Sequence, residues 1–210
     1  MNCDVRTDPW IPVRNVSGEK QVIGLNTLFR EAQNLEGFDE LDVMEEYSLY
    51  RFLSLFLMAA YKPEIWDDKY EILEQKHFDQ KILQEYIQHC VDDGISFDLF
   101  DAKHPFLQAS ENPVYDDMNT GIKSVACLDN TKASGNNPIH FDHNLEADVS
   151  FTPAQALRGL LAAQIFCTAM SGGYPSNVNG APPLFFFLFF ETLFETLVLA
   201  MAAAHEGPIG

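Results

Sequence analysis

The chain has 210 residues, 47% of them hydrophobic, which is enough for one sizeable domain. Its 13 basic and 31 acidic residues leave a formal net charge of −18, and no Lys or Arg follows Arg158. Affinity for nucleic acid comes largely from neutralising phosphates, so this composition excludes a protein that wraps DNA or RNA unaided over a wide surface. Any such contact must be local, polar or presented beside basic partner subunits.

Cys3, Cys90, Cys127 and Cys167 are far apart and form no CxxC pair, the usage of a reduced cytosolic protein with structural thiols. Met1-Asn2-Cys3-Asp4 has neither a basic nor an apolar leader character, so no secretion signal is expected. Trp10 to Arg14 reads as a short strand, Asn15 to Gly18 as a turn and Gln21 to Leu25 as the return. Pro9 and Pro12 place the first strand on an edge. Asn26 is the expected cap of a short helix running to about Asn34 and stopping near Gly37.

Asp42 to Tyr61 is the clearest helix, with Asp42 and Glu45 as its start signal and Pro63 as its stop. It is apolar nearly all round from Leu49 to Met58, which predicts a central, buried element. Asp79 caps another helix, with Ile82, Leu83, Tyr86, Ile87 and Cys90 on one face and Gly94 as terminator. Residues 98–150 lack periodicity and read as an irregular polar loop region, which inside a domain is usually functional.

Thr152 at N-cap, Pro153 at N1 and Gln155 at N3 open a helix that buries Leu157, Leu160, Leu161, Ile165 and Phe166, with Gly172-Gly173 as its end. Leu184 to Phe190 is an apolar run, and Thr192 with Glu195 forms a second capping box into a helix through Ala204. Residues 184–204 are long enough to span a membrane, but Glu191 and Glu195 would be costly there and no flanking Lys or Arg sets an orientation. A buried strand plus helix is the expectation, with no membrane contact.

Several segments in this order resemble the CasA-type large subunit of the type I-E CRISPR Cascade complex. They are Asp8-Pro9-Trp10-Ile11-Pro12-Val13-Arg14, Phe97-Asp98-Leu99-Phe100 leading to His104-Pro105-Phe106-Leu107-Gln108, and Asn137 to His143. Thr152-Pro153-Ala154-Gln155-Ala156, Gly172-Gly173 and Leu193-Phe194-Glu195-Thr196-Leu197 complete the series, and the similarity covers roughly residues 4–200. The resemblance implies a large mixed globular domain followed by a carboxy-terminal helical bundle. The expected fold is therefore a mixed α/β (α+β), helix-rich single globular domain over residues 1–210, with the bundle, the basic finger and the duplex-opening wedge lying beyond Gly210.

Function is likewise implied by resemblance: a non-catalytic, cytoplasmic prokaryotic subunit at the 5′ end of the guide RNA. It contributes to PAM recognition on target duplex DNA and to recruitment of a helicase-nuclease, with the other Cascade subunits as partners. The glycine loop Ser171, Gly172, Gly173, Tyr174, with Asn179 and Gly180 following, sits where the family enters the minor groove. Glycine permits that close backbone approach, and a plain helix C-cap and turn is the other reading. Asn179-Gly180-Ala181 lacks the basic residue many relatives carry there. Ser134 to His143 corresponds to a loop reaching guide RNA and neighbouring subunits. There Asn136 and Asn137 offer hydrogen bonds and His140 and Phe141 offer stacking, against a surface loop anchored by Phe141.

His140, Asp142 and His143 also suit a metal, but no second ligand cluster stands at a matching spacing. A structural role is expected, with no metal and no cofactor. No GxSxG, phosphate-binding loop or dinucleotide fingerprint is present, and the cysteines have no general base at a recognisable spacing, so no enzymatic activity is expected. The acidic excess at 36–46, 64–74 and 111–117 suits solvated helix faces. The alternative is an acidic regulator or decoy that binds basic nucleic-acid-binding surfaces.

Overall fold

The computed structural model describes residues 2–108, 125–128, 150–166 and 187–201. A hairpin opens the fold: β1 (Ile11–Asn15) pairs antiparallel with β2 (Lys20–Ile23), Ile11 opposite Ile23 and Arg14 opposite Lys20. Asn15 Oδ1 closes the turn by accepting from the Ser17 and Glu19 amides at 3.0 and 2.9 Å.

The order β2-β1-β3 corrects the expected edge position of β1. A third strand, β3 (Leu35–Phe38), which the sequence did not reveal, pairs only with Val13 to Asn15. It joins β1 downstream of Pro12, whose carbonyl accepts from the Asp39 amide at 3.1 Å, so the proline, paired with Val22 of β2, is not among the residues paired with β3. Gly37 thus lies in a strand and ends no helix.

The short helix expected to be capped by Asn26 is capped two residues earlier, by Gly24, as α1 (Leu25–Glu31). A Cβ on Gly24 would stand 2.9 Å from the carbonyl oxygens of Arg6 and Asp8, so only glycine fits this turn. A 3-10 turn, Ala32–Asn34, carries the chain into β3.

The central helix is α2 (Val43–Tyr61); Asp42 Oδ1 accepts from the Met44 and Glu45 amides at 2.8 and 3.1 Å. It ends at Lys62, whose φ of +50° turns the chain just before Pro63. Leu49, Leu53 and Leu57 are fully buried, while Leu55 faces outward.

Over the acidic stretch 64–74, expected only as a solvated helix face, runs α3 (Trp66–Gln75). Asp68 accepts from the Glu64 and Ile65 amides at 2.6 and 3.0 Å, and these bonds hold its carboxyl below the usual range. α3 also buries Lys69, whose Nζ donates to the Met201 carbonyl at 2.7 Å and lies 3.3 Å from the Trp66 ring centroid. α4 (Gln80–Asp92) has the expected Asp79 cap, donated by the Lys81 amide at 2.8 Å, and stops at Gly94 with φ +84°.

Two of the resemblance motifs form one structural unit. Asp98 Oδ1 accepts from the Cys3 amide at 3.0 Å, Leu99 N donates to Cys3 O and Val5 N donates to Phe97 O. Trp10, fully buried, donates its indole N–H to Val5 O at 2.8 Å.

α5 (Pro153–Phe166) has the predicted capping box: Gln155 N donates to Thr152 Oγ1, and Thr152 N donates to Gln155 Oε1. Leu157, Leu161 and Ile165 are buried as expected, but Leu160 and Phe166 are only half-buried. α6 (Leu193–Ala200) also has its box, between Thr192 and Glu195. The expected buried strand is not found over the described residues 187–190, where Leu188 is 75% and Phe189 62% exposed. The Phe190 amide donates to Thr196 Oγ1 at 3.0 Å, bending the chain onto the α6 start instead of pairing in a ladder. Among the described residues, no helix is long and apolar enough to cross a membrane.

Candidate nucleic-acid and subunit interface

Every site residue expected from the sequence lies outside the described residues: Asn136, Asn137, His140 and Phe141, and also Ser171, Gly172, Gly173, Tyr174, Asn179 and Gly180. So do Asp142 and His143 of the candidate metal cluster. The described residues hold no group of three or more His, Cys, Asp or Glu side chains placed to bind a metal ion. They do show where the two candidate segments leave and rejoin the fold.

Leu107 and Phe166, shortly before the undescribed stretches 109–124 and 167–186, lie at one end of α5. Gln164, in its last turn, donates from Nε2 to the Leu107 carbonyl at 3.3 Å, fixing the point from which residues beyond Gln108 depart. Phe106, next to it, packs edge-on against Phe52 of α2 and stacks on Phe97 at centroid distances of 6.1 and 5.8 Å. The last described residue of α5, Phe166, meets the Tyr47 ring at 5.6 Å, and the next described residue, Phe187, meets the same ring at 6.2 Å. Tyr47 therefore gathers both flanks of residues 167–186. Phe187 also packs on Tyr50 at 4.8 Å.

Midway along α5, the 3-10 turn Val125–Leu128 docks against Gly159. A Cβ on Gly159 would stand 2.7 Å from the Leu128 carbonyl oxygen, so the absent side chain is what seats this turn. The turn lies between the two undescribed stretches 109–124 and 129–149.

An ion pair locks α5 to the core. Arg158 Nε lies 2.9 Å from Glu45 Oε2 of α2, and Nη1 donates to the Trp10 carbonyl at 3.0 Å, with side chains only 16% and 19% exposed. Arg158→Ala is expected to cost about 1–3 kcal/mol, between the values for exposed and buried pairs, because it leaves the Glu45 carboxylate partly desolvated. Urea unfolding followed by circular dichroism measures it, with Glu45→Gln alone and combined to give the coupling; additive losses would show that the pair contributes nothing.

At this end of the molecule burial governs titration. It pushes the Glu46 carboxyl and the Tyr47 and Tyr50 phenols upward, while the Arg51 guanidinium partly opposes the rise at Tyr47. Sequence reasoning passed over Tyr47, Arg51, Gly159 and Gln164. The available signal was Arg51 and Gly159 interrupting apolar helices.

The family model for CRISPR-associated protein Cse1 matches residues 4–208. CRISPR-associated protein CasA/Cse1 of Thermus thermophilus is 30% identical over 199 residues, covering 91% of this chain and 38% of that relative. Among solved structures, Cse1 from Acidimicrobium ferrooxidans aligns with a TM-score of 0.74 at 23% identity, over 97% of this chain and 39% of the other. A chain of a CRISPR RNA-guided surveillance complex aligns with a TM-score of 0.71 at 22% identity, over 95% and 43%. The chain thus spans well under half the length of these relatives. With the match extending over almost all its residues, the chain belongs to the CRISPR-associated Cse1 family.

Proposed function

We propose that this chain acts as part of the large subunit of a type I-E Cascade effector. In this role it sits beside the backbone subunits and the 5′ end of the guide RNA, helps read the PAM on target duplex DNA, and helps recruit the helicase-nuclease. It contributes binding and leaves bond-breaking to that partner. The observation that carries the reading is the Cse1 family match over residues 4–208. Charge supports an assembled setting: at −18, the chain needs basic neighbours to approach phosphates. The placement of the flanking residues also supports it: Leu128, which precedes the segment assigned to guide RNA, lies against Gly159 of α5, and Phe166, which precedes the segment assigned to PAM, ends the same helix.

Reconstitution tests this. Alone, the chain is expected to bind duplex DNA or RNA weakly at physiological salt, read by fluorescence anisotropy. Added to guide-loaded backbone subunits, it should sharpen discrimination between right and wrong PAM. Gly173→Asp is expected to weaken PAM-dependent binding by about 1–3 kcal/mol, the scale of a lost groove contact, with assembly and melting temperature unchanged. Tight, salt-sensitive binding by the isolated chain, or failure to join the complex, would sink the proposal.

The acidic-decoy alternative draws less support. Asp42, Asp68 and Asp79 accept from backbone amides at helix starts, and Glu36, Asp39 and Glu45 face Arg14, Lys20 and Arg158. Carboxylates engaged in this way do not line up as a phosphate-like stripe.

A further inference from the structure

Four of the five arginines lie within 4.0 Å of a carboxylate: Arg6 of Asp4, Arg14 of Glu36, Arg30 of Glu31 and Arg158 of Glu45. Arg51 has no such partner among the described residues. In a chain of charge −18 that is the exception, and its place on α2 explains it. The positions three and four residues away are Tyr47, Ser48, Ser54 and Leu55, so no carboxylate can pair with it along the helix.

Arg51 sits between two hollows. One, of about 220 Å³, is bordered by Tyr47, Phe187 and Leu188. The other, of about 230 Å³, is an apolar groove bordered by Leu107, Gln164 and Ile165. None of the described residues lining either hollow is acidic. Phe187 stands 5.6 Å from the ring of Phe189, which is 62% exposed. A cation with no counter-charge among the described residues, bordering the same hollow as Phe187 and with the exposed Phe189 ring next to that, has the makings of a single-strand contact: the charge takes phosphate and an exposed ring takes an unstacked base. A partner's carboxylate would satisfy the charge but would leave the exposure of Phe189 unexplained.

We propose that Arg51 binds a backbone phosphate of the guide RNA in the assembled complex. This rests on the function proposed above and adds the residue that makes the contact. The test measures how tightly the full chain joins guide-loaded backbone subunits across a salt series. Arg51→Gln is expected to weaken joining about tenfold and to reduce the slope of log affinity against log salt by about 0.7, the share of one phosphate on a single strand. Guides carrying a neutral methylphosphonate at one position at a time locate the contact. One such substitution should weaken the wild-type chain about tenfold and leave Arg51→Gln unaffected.

Arg51→Lys, which keeps the charge, should retain the full slope and the methylphosphonate sensitivity; loss of either overturns the inference even if Arg51→Gln proves unstable. If Arg51→Gln joins like wild type, or joins weakly while no neutral position distinguishes it from wild type, Arg51 packs internally or meets a partner carboxylate. The inference then falls while the subunit reading stands. If the wild-type chain does not join at all, both fall.

Discussion

Trp10→Ala is expected to lower the unfolding free energy by about 3–5 kcal/mol, the scale for removing a large buried aromatic. That would consume much of the roughly 5–15 kcal/mol that holds a typical domain folded. Trp10 is fully buried, and its indole N–H, backbone N–H and carbonyl bind three separate parts of the chain: Val5, Ile23 and Arg158. Removing the ring opens a cavity where the amino-terminal segment, the hairpin and α5 meet. Urea denaturation followed by circular dichroism reads the loss. Val43→Ala serves as the comparison, because Val43 is 81% exposed and should change stability by less than about 0.5 kcal/mol. Equal unfolding midpoints for the two variants would contradict the placement of Trp10 at this junction.

Gly159→Val is expected to unseat the Val125–Leu128 turn and to weaken the chain's entry into the complex. On helix propensity alone, Gly159→Ala should help by about 0.8–1 kcal/mol. The Cβ, however, would stand 2.7 Å from a backbone oxygen of Leu128, which cannot rotate aside as a flexible side chain would. Overpacking of this kind costs about 1–3 kcal/mol, so clash outweighs propensity and even alanine should destabilise. Valine adds two methyl groups at the same point and should cost more than alanine. Thermal melting gives the stability order Gly, Ala, Val. Reconstitution with guide-loaded partner subunits gives the functional loss, expected at tenfold or more for valine, because the turn carries the stretch of chain assigned to guide RNA or subunit contact. A stabilised Gly159→Ala would show that helix and turn separate freely.

The elements that were legible in the sequence are those whose start signals are local. Asp42, Asp79, the Thr152–Gln155 box and the Thr192–Glu195 box each satisfy amides within three residues, so four or five letters predict them. The hairpin turn at Asn15 to Gly18 was readable for the same reason. Local chemistry also explains the stop of α4 at Gly94, where positive φ suits glycine.

What the sequence left open depends on distant partners. β3 forms because β1 has unpaired groups beyond Pro12, and nothing within Leu35–Phe38 announces that. The Cys3–Asp98 bond spans 95 residues, and Gly24 is required by carbonyls of Arg6 and Asp8 that only the folded turn brings near it. The apolar run at 187–190 has the composition of a buried strand, yet its fate was set by whether a neighbouring strand was available and by the Thr196 hydroxyl that takes the Phe190 amide. The interface divides in the same way. Its glycine and asparagine candidates came from a family resemblance, whereas the convergence of Phe166 and Phe187 on Tyr47, more than 100 residues earlier in the chain, exists only once α5 packs on α2. Capping is a contest among neighbours along the chain. Pairing and packing are settled by which surfaces, anywhere in the chain, can leave water together with their hydrogen bonds satisfied.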